Sequence, residues 1–270
     1  MPEAPPVQPE PEPKPSAGKD RRVLRAVLRW TAAVAVFAAV GAGTAFGITG
    51  MERTDLPGLA TRSDGRWDYP TLTRPPLPSG SPRPFAVTNT ADAHYADLRS
   101  LVLPAPKGAS EDKKLRGTDG WLATKDFLAE YQPGERGDLR QMLVDHGLRH
   151  IAARGFTTPD GTRTRIYLLQ FGTGAVVDDM LNDDMSADAP HYQLRGADTS
   201  VFDDTFPAAA RVENIDSAAY TEMKPYGAEQ VRQAYVTAGD TFALIVQSRK
   251  GGAKAVPFQQ TVALQSQLLG

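Results

Sequence analysis

The feature that most constrains this chain is a run of 21 residues, from Trp30 to Gly50, that contains no charged side chain. In a helix, at about 1.5 Å per residue, such a run extends roughly 31 Å, close to the hydrocarbon core of a bilayer at about 30 Å. Ala and Gly supply 11 of the 21 residues, so the segment is only moderately apolar. Its length predicts a single transmembrane helix in contact with the lipid bilayer.

The charges that flank this segment predict its orientation. Only two basic residues, Arg53 and Arg62, occur in the dozen residues after it. Five occur in the dozen residues before it: Lys19, Arg21, Arg22, Arg25 and Arg29. Because positive flanks remain in the cytoplasm, we expect a single-pass signal-anchor in the cell membrane, with a cytoplasmic N-terminus and an extracytoplasmic C-terminal domain. A cleaved secretory signal is the alternative, although the apolar region of such signals is shorter, about 7–15 residues.

Small residues recur every four positions along the predicted membrane helix, at Ala35, Ala39, Gly43 and Gly47. This spacing places them on one side of the helix, where they allow a second helix to approach closely. It predicts a packing surface for another copy of this chain or for another membrane protein. Chance is the alternative, because about half of the segment is Ala or Gly.

Proline divides the rest of the chain, since 16 of the 22 prolines lie in the first 106 residues. Residues 1–20 have little apolar bulk, which predicts a disordered cytoplasmic tail. Residues 21–50 are the basic flank and the membrane helix. Residues 51–86 are again Pro-rich and predict an extended extracytoplasmic stalk. The exported domain is then expected at residues 87–270.

Composition excludes two classes of function. The chain has no cysteine, so it can form neither a disulfide nor a thiolate site. After residue 50 there are 24 Lys and Arg against 28 Asp and Glu, a balance of −4, with no basic block. Nucleic acid is therefore not an expected partner.

Two β-hairpins are predicted in the exported domain. Thr158-Pro159-Asp160-Gly161 has the residues of a tight turn and joins strands expected at 148–157 and 162–171. Gly239-Asp240 has the residues of a two-residue hairpin loop and joins strands expected at 229–237 and 241–248.

Each hairpin is followed by a helical pattern, at 176–185 and from Val256-Pro257 onward. We therefore predict an α+β fold with an antiparallel sheet built from two hairpin-plus-helix units and with the helices on one face. The repeated layout of the two units suggests an internal duplication. A further helical pattern lies between 115 and 145 and ends near Gly147. Residues 186–228 carry no clear pattern.

The run GLRHIAARGFTTPDGTRTRIYLLQF (147–171) and the later AYVTAGDTFALIVQSRK (234–250) give this region its layout. In that layout it resembles exported domains of uncharacterised single-pass envelope proteins of high-GC Gram-positive bacteria. It is also similar to the extracytoplasmic sensor modules of some membrane kinases. The resemblance implies an exported α+β domain and identifies no catalytic residue.

His146 and His150 are the candidates for a metal site, because histidines four apart can share a metal on one face of a helix. Gly147 lies between them and indicates a helix end. We therefore predict neither a metal nor any other cofactor.

No catalytic motif is complete in this sequence. Ser110-Glu111-Asp112-Lys113 matches the SxxK of penicillin-binding enzymes, but the companion motifs are absent. The many Asp residues between 178 and 204 fit no calcium-binding loop. The sequence thus favours a non-enzymatic protein of the cell envelope that binds, senses or scaffolds and whose envelope ligand is unknown. The alternative is a small cell-wall-directed hydrolase with an unrecognised acidic active site.

Overall fold

The structure, a computed structural model, describes residues 24–32, 34–36, 38, 63–185, 189–197 and 199–270. In these ranges no helix is both long enough and apolar enough to cross a membrane. Of the predicted membrane span, residues 30–32, 34–36 and 38 are helical, and Ala35 is exposed. Ala39, Gly43 and Gly47 lie outside the described residues, as do the tail at 1–20 and most of the predicted span.

Asp64–Gly270 form one compact unit. Its centre is a seven-stranded antiparallel sheet with strand order β1-β2-β3-β7-β6-β5-β4. The strands are β1 Ser110–Asp112, β2 His150–Thr157, β3 Arg163–Gln170, β4 Ser200–Phe202, β5 Asp216–Glu222, β6 Glu229–Ala238 and β7 Thr241–Lys250. The α-helices are α1 Leu98–Leu101, α2 Thr124–Leu128, α3 Arg136–Asp145, α4 Gly174–Asp179 and α5 Ala255–Leu269. Met180–Met185 continues α4 as a π-helix, and Lys113–Arg116 and Ala208–Ala210 are short 3₁₀ helices.

Both predicted hairpins are confirmed. Gly161 adopts φ +82° in the turn between β2 and β3, and Gly239 adopts φ +49° between β6 and β7. The hairpins join because β3 pairs with β7 over eight residues. The four central strands of the sheet therefore come from the two hairpins that turn chemistry predicts.

The prediction that the helices lie on one face of the sheet is wrong. Leu244 and Val246 of β7 belong to a core under α2, α3 and α4, while Ile245 belongs to a core under α1 and α5. We call these surfaces the α3 face and the α5 face. Every residue from Thr241 to Ser248 is buried, as expected for a strand covered on both sides.

The opposite placement of α4 and α5 also bears on the proposed duplication. Two adjacent antiparallel hairpins are related by a two-fold axis perpendicular to the sheet, and that axis would leave both helices on the same face. Val177 of α4 packs in the α3-face core and Val262 of α5 packs in the α5-face core. This symmetry therefore does not relate the two hairpin-plus-helix units.

The compact unit begins at Asp64, so it includes most of the segment for which composition predicts an extended stalk. Trp67, Tyr69 and Leu72 pack against the α5-face core. The backbone N–H of Trp67 donates to Gln260 Oε1 at 2.8 Å, and Gln260 Nε2 donates to the Trp67 carbonyl at 2.9 Å. Residues 64–86 form neither helix nor strand, but their aromatic side chains give this Pro-rich stretch enough apolar surface to pack.

We expect Trp67→Ala to lower the free energy of unfolding by about 2 kcal/mol, less than the loss for a fully buried Trp because the ring is only partly covered. Urea unfolding of the full-length chain measures this. Tyr226→Ala, which removes an aromatic side chain that is 56% exposed, is the control and should change stability by less than about 0.5 kcal/mol. Equal, small effects of the two substitutions would mean that residues 64–86 are a solvated stalk.

Candidate functional site

Two cavities in Asp64–Gly270 are the candidate sites. The first, which we call the proline cavity, has a volume of about 300 Å³ and lies between the Pro-rich segment 74–84 and the C-terminal end of α5. Most of its walls are apolar. Its lining residues are Arg74, Pro75, Leu77, Arg83, Pro84, His94, Tyr95, Ala96, Leu101, Leu268, Leu269 and Gly270.

A buried pair of polar residues, His94 and Asp240, supports the proline cavity. Their side chains are 2% and 1% exposed, and His94 Nδ1 lies 2.7 Å from Asp240 Oδ1. The Asp240 carboxylate also accepts from the backbone N–H of His94 at 3.0 Å and from Gln170 Nε2 at 3.1 Å. The pair ties the loop before α1 to the turn between β6 and β7.

The second ring nitrogen of His94 points the other way. Nε2 lies 2.9 Å from the carbonyl oxygen of Leu269, in the last turn of α5. Both ring nitrogens are therefore engaged within the protein, Nδ1 with Asp240 Oδ1 and Nε2 with the Leu269 carbonyl oxygen. Neither nitrogen is free to bond to a ligand.

The loop that carries His94 is shaped by close backbone contacts. Asn89 Nδ2 donates to the carbonyl oxygens of Arg83, Pro84 and Ala93 at 2.8 to 3.0 Å. These bonds hold the wall of the proline cavity that Arg83 and Pro84 form.

Beyond Asn89, the same loop meets the β6–β7 turn. Asp92 has φ +48°, and its carbonyl oxygen accepts from the Asp240 backbone N–H at 3.1 Å. A Cβ atom on Gly239 would overlap that carbonyl oxygen. The glycine of the hairpin loop is thus needed for the loop and the turn to approach each other.

Polar groups at the opening of the proline cavity are few. Arg74 donates through Nε and a terminal nitrogen to the carbonyl oxygen of Gln267, at 3.3 and 3.1 Å. Arg83 and Tyr95 are exposed. Because Arg74 is held by the end of α5, it fixes the segment 74–84 against that helix.

The second cavity, which we call the arginine pocket, has a volume of about 440 Å³. It lies on the α3 face, at the end of the sheet near the β2–β3 turn, and its walls are more polar than those of the proline cavity. Its lining residues are Asp112, Leu115, Glu130, Gly155, Phe156, Thr157, Arg163, Thr164, Arg165, Arg195, Gly196, Glu229, Val231 and Ser248.

Two ion pairs are part of this pocket. Arg165 Nε donates to Glu130 Oε2 at 2.8 Å, and a terminal nitrogen of Arg163 lies 2.7 and 2.6 Å from the two oxygens of Glu229. The hydrogen bond from Arg163 lowers the pKa of the Glu229 carboxyl, and Ser248 and Arg165 contribute in the same direction.

The two histidines singled out as metal candidates do not form a pair in the structure. His146 follows the end of α3, with Nδ1 3.0 Å from the Met142 carbonyl oxygen and Nε2 3.4 Å from Asp184. His150 starts β2 and stacks on Trp121, with ring centroids 4.6 Å apart. Within the described ranges, no group of three or more His, Asp or Glu residues could hold a metal ion.

The other motifs also lie outside the two cavities, apart from Asp112. Ser110 and Lys113, the ends of the SxxK match, are exposed on the edge strand β1 and at the start of a 3₁₀ helix. Burial and the neighbouring carboxylates of Asp216 and Asp179 raise the pKa of the Asp178 carboxyl. Asp178 itself is exposed on α4 and lines neither cavity.

Sequence reasoning missed the residues that shape both cavities. His94 and Asp240 are 146 positions apart, so no local pattern connects them. Arg163 and Arg165 do carry a signal, because alternate positions of a strand project from the same face. In the sequence alone, however, these two arginines cannot be distinguished from charged side chains on the solvent-exposed edge of a sheet.

No protein-family model matches the chain, and no curated protein matches it. Among solved structures, the chain is similar to the extracellular domain of PknH from Mycobacterium tuberculosis, with 10% sequence identity and a TM-score of 0.33. The similarity covers 59% of this chain and 77% of that chain. We therefore infer the function of this chain from the geometry of its cavities.

Proposed function

We propose that residues 64–270 are a non-catalytic binding domain of the cell envelope, displayed outside the cytoplasm by the membrane segment predicted at Trp30–Gly50. We propose further that the proline cavity is its ligand site, for a small and mainly apolar molecule or for an apolar group of a larger partner. The observation that carries this proposal is an apolar cavity whose one buried titratable side chain, His94, already has both ring nitrogens bonded.

The size and lining of the proline cavity support binding. Ligand pockets typically range from about 300 to 1,000 Å³ and combine apolar walls with a few polar groups. A volume of about 300 Å³ lies at the small end of this range. Transfer of apolar surface from water to such a cavity, at roughly 25 cal/mol per Å², supplies the driving force.

The state of the polar groups favours binding over catalysis. A general acid or base must exchange a proton with its substrate, and His94 has no free ring nitrogen with which to do so. Arg74 is likewise bonded to the carbonyl oxygen of Gln267. Both groups therefore hold the walls of the cavity in place.

The alternative, a hydrolase with an acidic site, would need a carboxylic acid whose pKa is raised toward neutrality. In the arginine pocket the pKa of Glu229 is lowered instead. Asp178 has a raised pKa but lies on an exposed helix surface. We therefore expect the purified full-length chain not to hydrolyse peptidoglycan, and turnover abolished by Glu130→Gln or Glu229→Gln would contradict this proposal.

The position of the proline cavity suggests how binding could be sensed. One wall of the cavity, residues 74–84, is close in sequence to the predicted membrane segment, and another wall is the end of α5. A ligand that contacts both would restrain the segment leading to the anchor. Binding and sensing would then share one site.

The test titrates 1-hexanol into the full-length chain in lipid nanodiscs and follows the methyl signals of the protein by NMR. Empty nanodiscs are the reference for the partitioning of hexanol into lipid. We expect saturable shifts of the methyl signals of Leu77, Leu101 and Leu268. Ala96→Phe, which fills the cavity from its wall, should remove these shifts. Ala175→Phe, at an exposed position of α4, should leave them unchanged.

Two results would contradict the proline cavity as the ligand site. One is the absence of saturable shifts in the unmodified chain. The other is the persistence of the same shifts in Ala96→Phe, which would place hexanol elsewhere.

A further inference from the structure

The arginine pocket is chemically distinct from the proline cavity and independent of the function proposed for it. Cross-strand pairing builds its floor, because Arg163 pairs with Ser248 of β7 and Ser248 pairs with Val231 of β6. Arg165, two positions along β3, projects from the same face. Glu229 lies on this face as well, two positions before Val231.

The three arginines of this pocket have hydrogen-bond donors to spare. A guanidinium carries five N–H groups. Among the described residues, Arg165 bonds through Nε alone, to Glu130, and Arg163 bonds through one terminal nitrogen, to Glu229. The exposed side chain of Arg195 bonds to no residue in the described part of the chain.

The local fold places Arg195 beside the Arg165–Glu130 pair. Its backbone N–H donates to the Glu130 carbonyl oxygen at 2.6 Å. Tyr131, which follows Glu130, and Leu194, which precedes Arg195, form an isolated antiparallel bridge. Gly196 then turns the chain with φ +79°. The third arginine is therefore positioned by backbone contacts.

The carboxylates of the pocket orient the arginines but do not saturate them. Arg165 and Glu130 are 21% and 13% exposed, and Arg163 and Glu229 are 54% and 40% exposed. Each pair fixes one edge of a guanidinium and leaves the rest available. Asp112, the third carboxylate, accepts from the Lys114 backbone N–H at 3.0 Å.

The charges that line the pocket balance. Three arginines (Arg163, Arg165, Arg195) face three carboxylates (Asp112, Glu130, Glu229), so the sum is zero. The pocket has no excess positive charge to attract a polyanion. It has an excess of N–H donors over free acceptors, and guanidinium groups match carboxylate and phosphate oxygens geometrically.

We propose that the arginine pocket binds a small ligand through one oxyanionic group, a carboxylate or a phosphate monoester. Arg195, whose side chain bonds to none of the described residues, is the arginine that the ligand engages most directly. Arg163 and Arg165 contribute the N–H groups that their glutamate partners leave unused. Leu115, Phe156 and Val231 supply the apolar part of the lining.

Isothermal titration calorimetry of the full-length chain tests this with three probes that share a sugar ring: glucuronate, glucose 6-phosphate and glucose. We expect one or both of the oxyanionic probes to bind, and glucose to bind at least about tenfold more weakly, since hydrogen bonds to charged groups are worth about 1.5–3 kcal/mol. A lower Kd for glucuronate than for glucose 6-phosphate would identify the oxyanion as a carboxylate, and the reverse order would identify it as a phosphate monoester.

Substitution at Arg195 assigns the binding to this pocket. Arg195→Gln should raise the Kd about tenfold or more, and Arg195→Lys should raise it less, because charge is kept while the two-pronged geometry is lost. Arg211→Gln is the matched control, since Arg211 is exposed and lines neither cavity. The Kd of the Arg211→Gln variant should equal that of the unmodified chain.

The proposal is overturned if glucose binds as tightly as the oxyanionic probes, if no probe binds, or if Arg211→Gln weakens binding as much as Arg195→Gln does. None of these results bears on the proline cavity. Hexanol binding there can succeed or fail separately.

Discussion

Replacing His94 with alanine is expected to lower the free energy of unfolding by about 3–5 kcal/mol, because the substitution removes one partner of a buried, hydrogen-bonded pair. The side chain of Asp240 is 1% exposed, and its Oδ1 lies 2.7 Å from His94 Nδ1. The loss of His94 would also leave the Leu269 carbonyl oxygen without its donor. Urea unfolding of the full-length chain measures the change.

His146→Ala is the matched control for His94→Ala. It makes the same chemical change at a partly exposed residue just after α3, where the nearest carboxylate, Asp184, is 3.4 Å away and 39% exposed. We expect a loss below about 1 kcal/mol. Similar losses for the two variants would show that the His94–Asp240 pair contributes no more to stability than a surface contact.

Gly239→Ala is expected to cost about 3 kcal/mol in the free energy of unfolding. Two effects add: an L-residue at positive φ costs roughly 1–2 kcal/mol, and forcing an atom into a packed site costs about 1–3 kcal/mol. The added Cβ would overlap the carbonyl oxygen of Asp92. That backbone oxygen cannot rotate away as a flexible side chain would.

Gly161→Ala separates these two effects. Gly161 occupies the turn of the other hairpin at φ +82°, and a Cβ there would meet nothing within 4 Å. It should therefore cost only the backbone term, roughly 1–2 kcal/mol. If the two alanine variants were equally destabilised, the contact between the loop at Asp92 and the β6–β7 turn would not constrain position 239.

Local chemistry explains which elements the sequence predicts well. The turn at Thr158–Gly161 and the loop at Gly239–Asp240 are set by residues next to each other, so the hairpins follow from short segments. The end of α3 is likewise set by residues next to each other in the sequence. Gly147 adopts φ +71°, and its N–H and that of Leu148 bond to the carbonyls of Val144 and Leu143.

Elements without a strong local pattern escaped prediction. Strand β5, Asp216–Glu222, has Ala and Ser at its centre, which do not distinguish strand from loop. It is held in the sheet by pairing with β6 and by Tyr220, whose ring lies 5.6 Å from that of Tyr235. That ring contact joins residues in different strands and cannot be read from either strand alone.

The cavities were beyond sequence reasoning for the same reason. The proline cavity needs Arg74 to meet Gln267, and the arginine pocket needs Arg195 to lie beside Arg165. Composition could suggest a solvated stalk for residues 64–86, because proline favours extended chain. It could not foresee that Trp67 and its neighbours find an apolar surface to cover.

What the sequence determined by itself is what depends on neighbouring residues: two hairpins, a helix end at Gly147, and a helix from Val256-Pro257 onward. An apolar run such as that of β7 shows that a strand is buried but not what covers each side. Only the tertiary structure decided that helices cover both faces of the sheet, that the chain packs from Asp64 onward, and which charged residues meet. Those outcomes depend on contacts between segments far apart in the chain, whose residues acquire a common surface only after the sheet has formed.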